Sequence, residues 1–241
     1  MCCGHRGQTA ERRRVVFLPL YDQAGFRHIK RPVGVYAILG VNLLAFLLST
    51  AFSAARLELS FGLIPAVLFG EAVLPDTVLQ TPALVTPFTS VFLHANFDHI
   101  IGNMLFLWVF GDNIEDAMGT RRFVLFYLLC GACAAMTHAI VMPYSVSPLV
   151  GASGAVSGVI AAYVLLHPHV RVYGLVLKWI PLAVKAMYVI AAWIAMQFAF
   201  AVFGGDPNVG WWAHVGGIIA GAGLITIFKR PGVVLLDRRL D

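Results

Sequence analysis

Residues 148–158 read PLVGASGAVSG, and the uncharged run they open continues to Leu166. Three glycines, Gly151, Gly154 and Gly158, and two serines, Ser153 and Ser157, lie within it. In lipid such a stretch has two readings. Gly154 and Gly158 form a GxxxG pattern, which lets one helix backbone approach another closely. Ser153 is then either a small residue that allows this contact or a nucleophile held inside the bilayer. The remainder of the chain bears on the choice.

Of the 241 residues, 59% are hydrophobic and only 12% are charged; the mean hydropathy is +0.81. A soluble domain carries about 25% charged residues, so the chain reads as an integral membrane protein. A span needs roughly 20 apolar residues. Windows free of Asp, Glu, Lys and Arg occur at 33–55, 123–142, 149–166, 186–205 and 209–228. A sixth and less regular span starts near Phe97 and runs to about Gly111 or a little beyond, with His94, Asn96, His99 and Asn103 crowding its start. The expected fold is an all-α bundle of six transmembrane helices.

Six spans put both termini on one side of the membrane. All of the 17 basic residues except Arg56 then fall on that side, which the positive-inside rule makes cytoplasmic. Anionic lipid headgroups are sufficient partners for the net charge of +5, and no nucleic acid is needed to explain it. The expected organisation is a basic cytoplasmic tail over 1–30 with no cleavable signal, a membrane domain over 31–229 and a short cytoplasmic tail over 230–241. The largest external loop covers 53–80; its FGLIPAVLFG at 61–70 is too short to span and suits the membrane interface. Cys130 and Cys133 form a lone CxxC with no further ligands at zinc spacing. They read as packing residues, and neither a metal nor a cofactor is expected. Cys2 and Cys3 are candidates for acylation.

Ionisable groups inside spans are costly and mark function. His99, Ser153 and His214 each stand near the start of an even-numbered span. In an alternating topology all three lie at one depth, toward the external face. Gly217 and Gly221 repeat the GxxxG spacing on the last span, so packing of that face against Gly154 and Gly158 brings His214 to Ser153. A neutral histidine is the usual base for a serine hydroxyl. His99 and Asn103, at i and i+4, point the same way and with the Ser153 backbone N–H supply donors for an oxyanion. Each feature alone has a plain reading: small-residue packing, a structural histidine, a common glycine pattern. His138 reads as structural, and His167 and His169 as loop residues.

Four segments, HANFDHIIGN (94–103), GDNIEDAMGTRRFVLFYLLCG (111–131), GASGAVSG (151–158) and AHVGGIIAG (213–221), occur in this order. Over about 33–228 the chain resembles the rhomboid intramembrane serine proteases. The resemblance implies a six-helix bundle with Ser153 as nucleophile, His214 as base, His99 and Asn103 assisting the oxyanion, and His94, Gly151, Gly154 and Ser157 as structural residues near the site. It also implies transmembrane proteins as substrates and suits a bacterial inner membrane. Two departures stand out. The Trp-Arg pair common in the first loop is absent, Arg56 being followed by Leu57. The aromatic residue common four positions after the serine is Ser157 here, and the expectation is that the pocket would accept a tyrosine at that position.

The competing readings are a catalytically inactive rhomboid-like protein that binds membrane clients, and a small transporter with a histidine proton path. The Ser153–His214 pair speaks against the first, and the low number of charges in the spans against the second. HExxH, GxGD and GxSxG patterns are all absent, which excludes zinc, aspartyl and elbow-type serine chemistry.

Overall fold

A computed structural model describes residues 17–176 and 180–236. Cys2, Cys3, Arg6, Arg12, Arg13, Arg14, Lys178, Arg238 and Arg239 lie outside the described residues. Strand β1 (Phe17–Asp22) precedes helices α1 (Val33–Ala51), α2 (Ala54–Phe61), α3 (Pro65–Leu68), α4 (Thr86–Thr89), α5 (Phe97–Met118), α6 (Thr120–Val141) and α7 (Ser153–Leu166). Strands β2 (Arg171–Val176) and β3 (Ile180–Lys185) then lead to α8 (Ala186–Phe203) and α9 (Trp211–Phe228). The protein is a mostly helical membrane bundle.

Each of the six expected spans is a helix, but they are not alike. Among the described residues, α1, α6, α8 and α9 are long and apolar enough to cross a membrane. Helix α7 has only 14 residues. At 1.5 Å per residue this is about 21 Å, short of a hydrocarbon core of about 30 Å. Residues 149–152, uncharged but not helical, account for the longer window read from sequence. Helix α5 runs past Gly111 to Met118 and carries Asp112, Glu115 and Asp116 in its last two turns.

Those carboxylates persist in a membrane protein because the fold supplies their donors. Glu115 is fully buried. It accepts the backbone N–H groups of Gly34 (2.9 Å) and Val35 (2.8 Å) and the Thr120 hydroxyl (2.6 Å). The first turn of α1 has no capping side chain of its own, so Glu115 closes it from the end of α5, satisfying orphan donors with a charge suited to the helix dipole. Asp116 accepts three successive N–H groups, from Arg27 (3.1 Å), His28 (2.7 Å) and Ile29 (2.8 Å). The Arg230 N–H donates to the Ala117 carbonyl over 2.8 Å. The segments entering α1 and leaving α9 are thus tied to one corner. Gly119, at φ +85°, is all that separates α5 from α6.

The segment read as a tail contributes structure. β1, β2 and β3 form an antiparallel sheet in that order, with Leu18 opposite Leu175 and Val172 opposite Val184. Asp22 joins this sheet to the helices by accepting the Tyr163 hydroxyl and Asn113 Nδ2. In the loop over 53–80, Leu63, Ile64 and Ala66 turn inward and are buried rather than lying on the surface. Leu63 and Leu149 exchange backbone hydrogen bonds of 3.1 and 2.7 Å, so the loop braces the extended approach to α7.

Candidate active site

Close glycine contacts hold α7 between α6 and α9. A Cβ on Gly154 would lie 2.5 Å from Ala134 Cβ and 3.6 Å from the Ala213 carbonyl oxygen. One on Gly158 would lie 2.6 Å from Cys130 Sγ and 3.0 Å from the Gly217 carbonyl oxygen. From the other side, Gly217 abuts the Gly154 carbonyl, and Gly221 the Gly158 carbonyl. The two GxxxG faces therefore meet backbone to backbone, as their spacing predicts. Ser153 precedes Gly154 and His214 follows Ala213, so this packing brings their turns together. Ser153 Oγ and the His214 ring form no hydrogen bond in this conformation; such pairs often tighten only when substrate is bound.

The donors gather from the second span. Asn96 caps α5 by accepting the His99 N–H through its side-chain oxygen at 2.8 Å. With the first turn fixed, His99 and Asn103 share a face. The His99 ring lies against Gly151, where a Cβ would be 2.5 Å from Cε1 and 2.6 Å from Nε2. Gly151 also has φ +125°, a conformation that excludes most side chains, and its N–H is held by the Ser90 carbonyl at 2.9 Å. Asn103 is 8% exposed, and its Nδ2 has no hydrogen-bond partner among the described residues. A buried amide left so costs about 1–3 kcal/mol, and a developing oxyanion is one acceptor it could take.

His94 sits behind this arrangement at 2% exposure. Its ring meets His99 edge to face, with centroids 5.1 Å apart, and its Nε2 faces the Ala152 N–H at 3.5 Å. Burial, with the nearby His99, pushes the His94 imidazole down to about 4. A neutral ring is the form that can accept from Ala152.

The Ser157 hydroxyl turns back on its own helix. Its hydroxyl donates to the Ser153 carbonyl at 2.6 Å, and it is 1% exposed. The place of a Cβ on Gly217 lies 3.3 Å from Ser157 Cβ. The expectation that a tyrosine fits here is not supported, because α9 occupies the space.

Sequence reasoning missed Gln197. It lies on α8 at 3% exposure, with Oε1 2.8 Å from His214 Nδ1. A lone amide in an apolar span is the available signal, and it carries no charge to mark it. Trp211 also touches the base, its ring edge-on to His214 at 5.7 Å between centroids. His138, read as isolated, lies by the start of α9, its Nδ1 3.8 Å from where a Gly210 Cβ would be. Cys130 packs in the core as expected, whereas Cys133 is exposed.

Comparison with known proteins gives the family. Residues 82–231, more than half of the chain, match the Rhomboid domain. The chain is similar to the rhomboid protease GluP of Bacillus subtilis, 32% identical over 152 residues, 63% of this chain and 27% of that protein. It is similar to the chloroplastic Rhomboid-like protein 11 of Arabidopsis thaliana, 39% identical over 85 residues, 35% of this chain and 30% of the relative. It is also 30% identical over 112 residues to Inactive rhomboid protein 1 of Drosophila melanogaster, 43% of this chain and 8% of the relative. The chain thus spans less than a third of the length of each of these three relatives. With the domain match covering every helix from α5 to α9, the chain belongs to the rhomboid family.

Proposed function

We propose that this protein is an intramembrane serine endopeptidase that cuts single-pass transmembrane proteins near the external membrane face. The observation that supports this most is the α7–α9 contact, which draws the turns of Ser153 and His214 together, with the His99 ring packed against Gly151 two residues before Ser153. In the proposed reaction His214 Nε2 takes the Ser153 proton as Oγ attacks the scissile carbonyl. The oxyanion receives the Ser153 backbone N–H, Asn103 Nδ2 and the His99 ring. His214 then protonates the leaving amine. Water, activated by the same imidazole, releases the acyl group and restores Ser153. The substrate helix must unwind locally to expose its carbonyl, so small or helix-breaking residues near the cut are favoured.

The reading places both termini in the cytoplasm, as the asymmetry of basic residues suggests, and a bacterial inner membrane suits it. A second reading, an inactive protein that binds membrane clients, draws on the likeness to the inactive Drosophila relative. Reconstitution with a single-pass model substrate separates the two. Cleavage by wild type and none by Ser153→Ala supports the protease; binding without cleavage by wild type supports the other.

A further inference from the structure

We infer that Gln197 is a positioning residue whose amide oxygen fixes His214 in the tautomer that leaves Nε2 free to take the Ser153 proton. This deepens the Ser153–His214 reading and rests on it. Helix α8 is otherwise apolar, AMYVIAAWIAMQFAFAVF, with Gln197 its one carboxamide. Burying an amide in an apolar setting is costly unless it is hydrogen-bonded, and Gln197 is buried with Oε1 at 2.8 Å from His214 Nδ1.

A neutral imidazole carries one N–H. An amide oxygen only accepts, so its partner nitrogen, Nδ1, holds the proton and Nε2 keeps its lone pair. A base works only when that lone pair points at the proton it removes. The buried acceptor behind the base in serine triads has this orienting role; here it is uncharged and comes from a different helix.

The ring is held a second time by Trp211, edge-on at 86°. Trp211 is itself anchored, its indole N–H donating to the Asp206 carbonyl at 3.0 Å and its ring packed on Phe200 at 4.7 Å. Gln197 and Trp211 together take the place of the aromatic residue that position 157 lacks. Ser157, turned to the Ser153 carbonyl, gives the base no support from α7.

If the amide were turned over, its NH2 would donate to Nδ1. The proton would then sit on Nε2, and His214 could not act as base. A carboxylate distinguishes the two arrangements because it can only accept.

The test uses the purified full-length chain as wild type, Gln197→Leu and Gln197→Glu. Turnover of a single-pass model substrate is measured with thermal stability, and His214 is observed by 15N NMR of histidine-labelled protein. Gln197→Leu is expected to lower kcat about 10- to 100-fold, less than the roughly 10²–10⁴-fold that a general base contributes in full, with KM little changed. Gln197→Glu is expected to recover most of that loss. The wild-type His214 signal is expected as the Nδ1–H tautomer, giving way to a mixture in Gln197→Leu. Full kcat in folded Gln197→Leu, a Gln197→Glu variant as slow as Gln197→Leu, or an Nε2–H tautomer in wild type overturns the inference. The NMR readout stands even if wild type cleaves nothing, so failure of the protease reading is recognised separately.

Discussion

The hydroxyl of Ser157 donates to the carbonyl of Ser153, one helical turn back, at 2.6 Å. The turn that begins at Ser153 is thereby closed from within, and position 157 is committed to packing against α9. Replacing Ser157 with tyrosine would drive a ring into the Gly217 backbone. Overpacking of this kind costs about 1–3 kcal/mol, and separation of α7 from α9 would also separate Ser153 from His214. Ser157→Tyr is expected to lower both thermal stability and turnover. Ser157→Ala, which loses only a back-bond to i−4, is expected to stay within about 1 kcal/mol and to retain activity. A stable, fully active tyrosine variant would show that the helix contact is looser than the glycine geometry indicates.

Gly151 meets two constraints, a positive φ and the His99 ring. A side chain in that backbone conformation costs about 1–3 kcal/mol, and the alanine methyl would also push His99 from its place. Gly151→Ala is expected to reduce kcat more than stability accounts for, with the protein still folded. Kinetics normalised to folded protein check this; unchanged kcat would remove His99 from the proposed oxyanion site.

Glu115 lies sixteen residues after His99, roughly 24 Å along α5 at 1.5 Å per residue. Glu115→Ala leaves the Gly34 and Val35 N–H groups without their acceptor, at about 1–3 kcal/mol each. The variant is expected to unfold at clearly lower temperature while its turnover per folded molecule is unchanged. Loss of turnover without loss of stability would contradict a purely structural role.

His94 makes stability depend on pH. Burial holds its imidazole down at about 4, below the 6.5 of an ordinary histidine, so between these the unfolded chain binds more protons. Stability therefore falls as pH drops from about 6.5 toward 4. His94→Gln, which cannot take up the proton, is expected to flatten that fall. Parallel pH profiles of thermal unfolding for wild type and variant would show that His94 does not contribute.

The parts of the fold legible in sequence are those set by local spacing. Gly154, Gly158, Gly217 and Gly221 announce a helix contact by their period, and His99 and Asn103 share a face by helical geometry alone. The sheet was not legible, because Leu18 finds Leu175 across most of the chain and short apolar strands beside a basic tail carry no distinct pattern. The start of α7 was hidden because absence of charge does not distinguish the non-helical residues 149–152 from helix. The roles of Glu115 and Asp116 depend on backbone donors near residues 27–35, which no side-chain pattern reveals. Gln197 was hidden by its lack of charge, although its amide is as foreign to lipid-facing packing as a histidine.

The central claim is that Ser153 is a nucleophile activated by His214. Mass spectrometry of the folded full-length chain after reaction with a fluorophosphonate probe tests it most directly. An adduct is expected on Ser153 in wild type, absent in Ser153→Ala and strongly reduced in His214→Ala. Folded wild-type protein with no adduct on Ser153, or equal labelling of that position with and without His214, would contradict it.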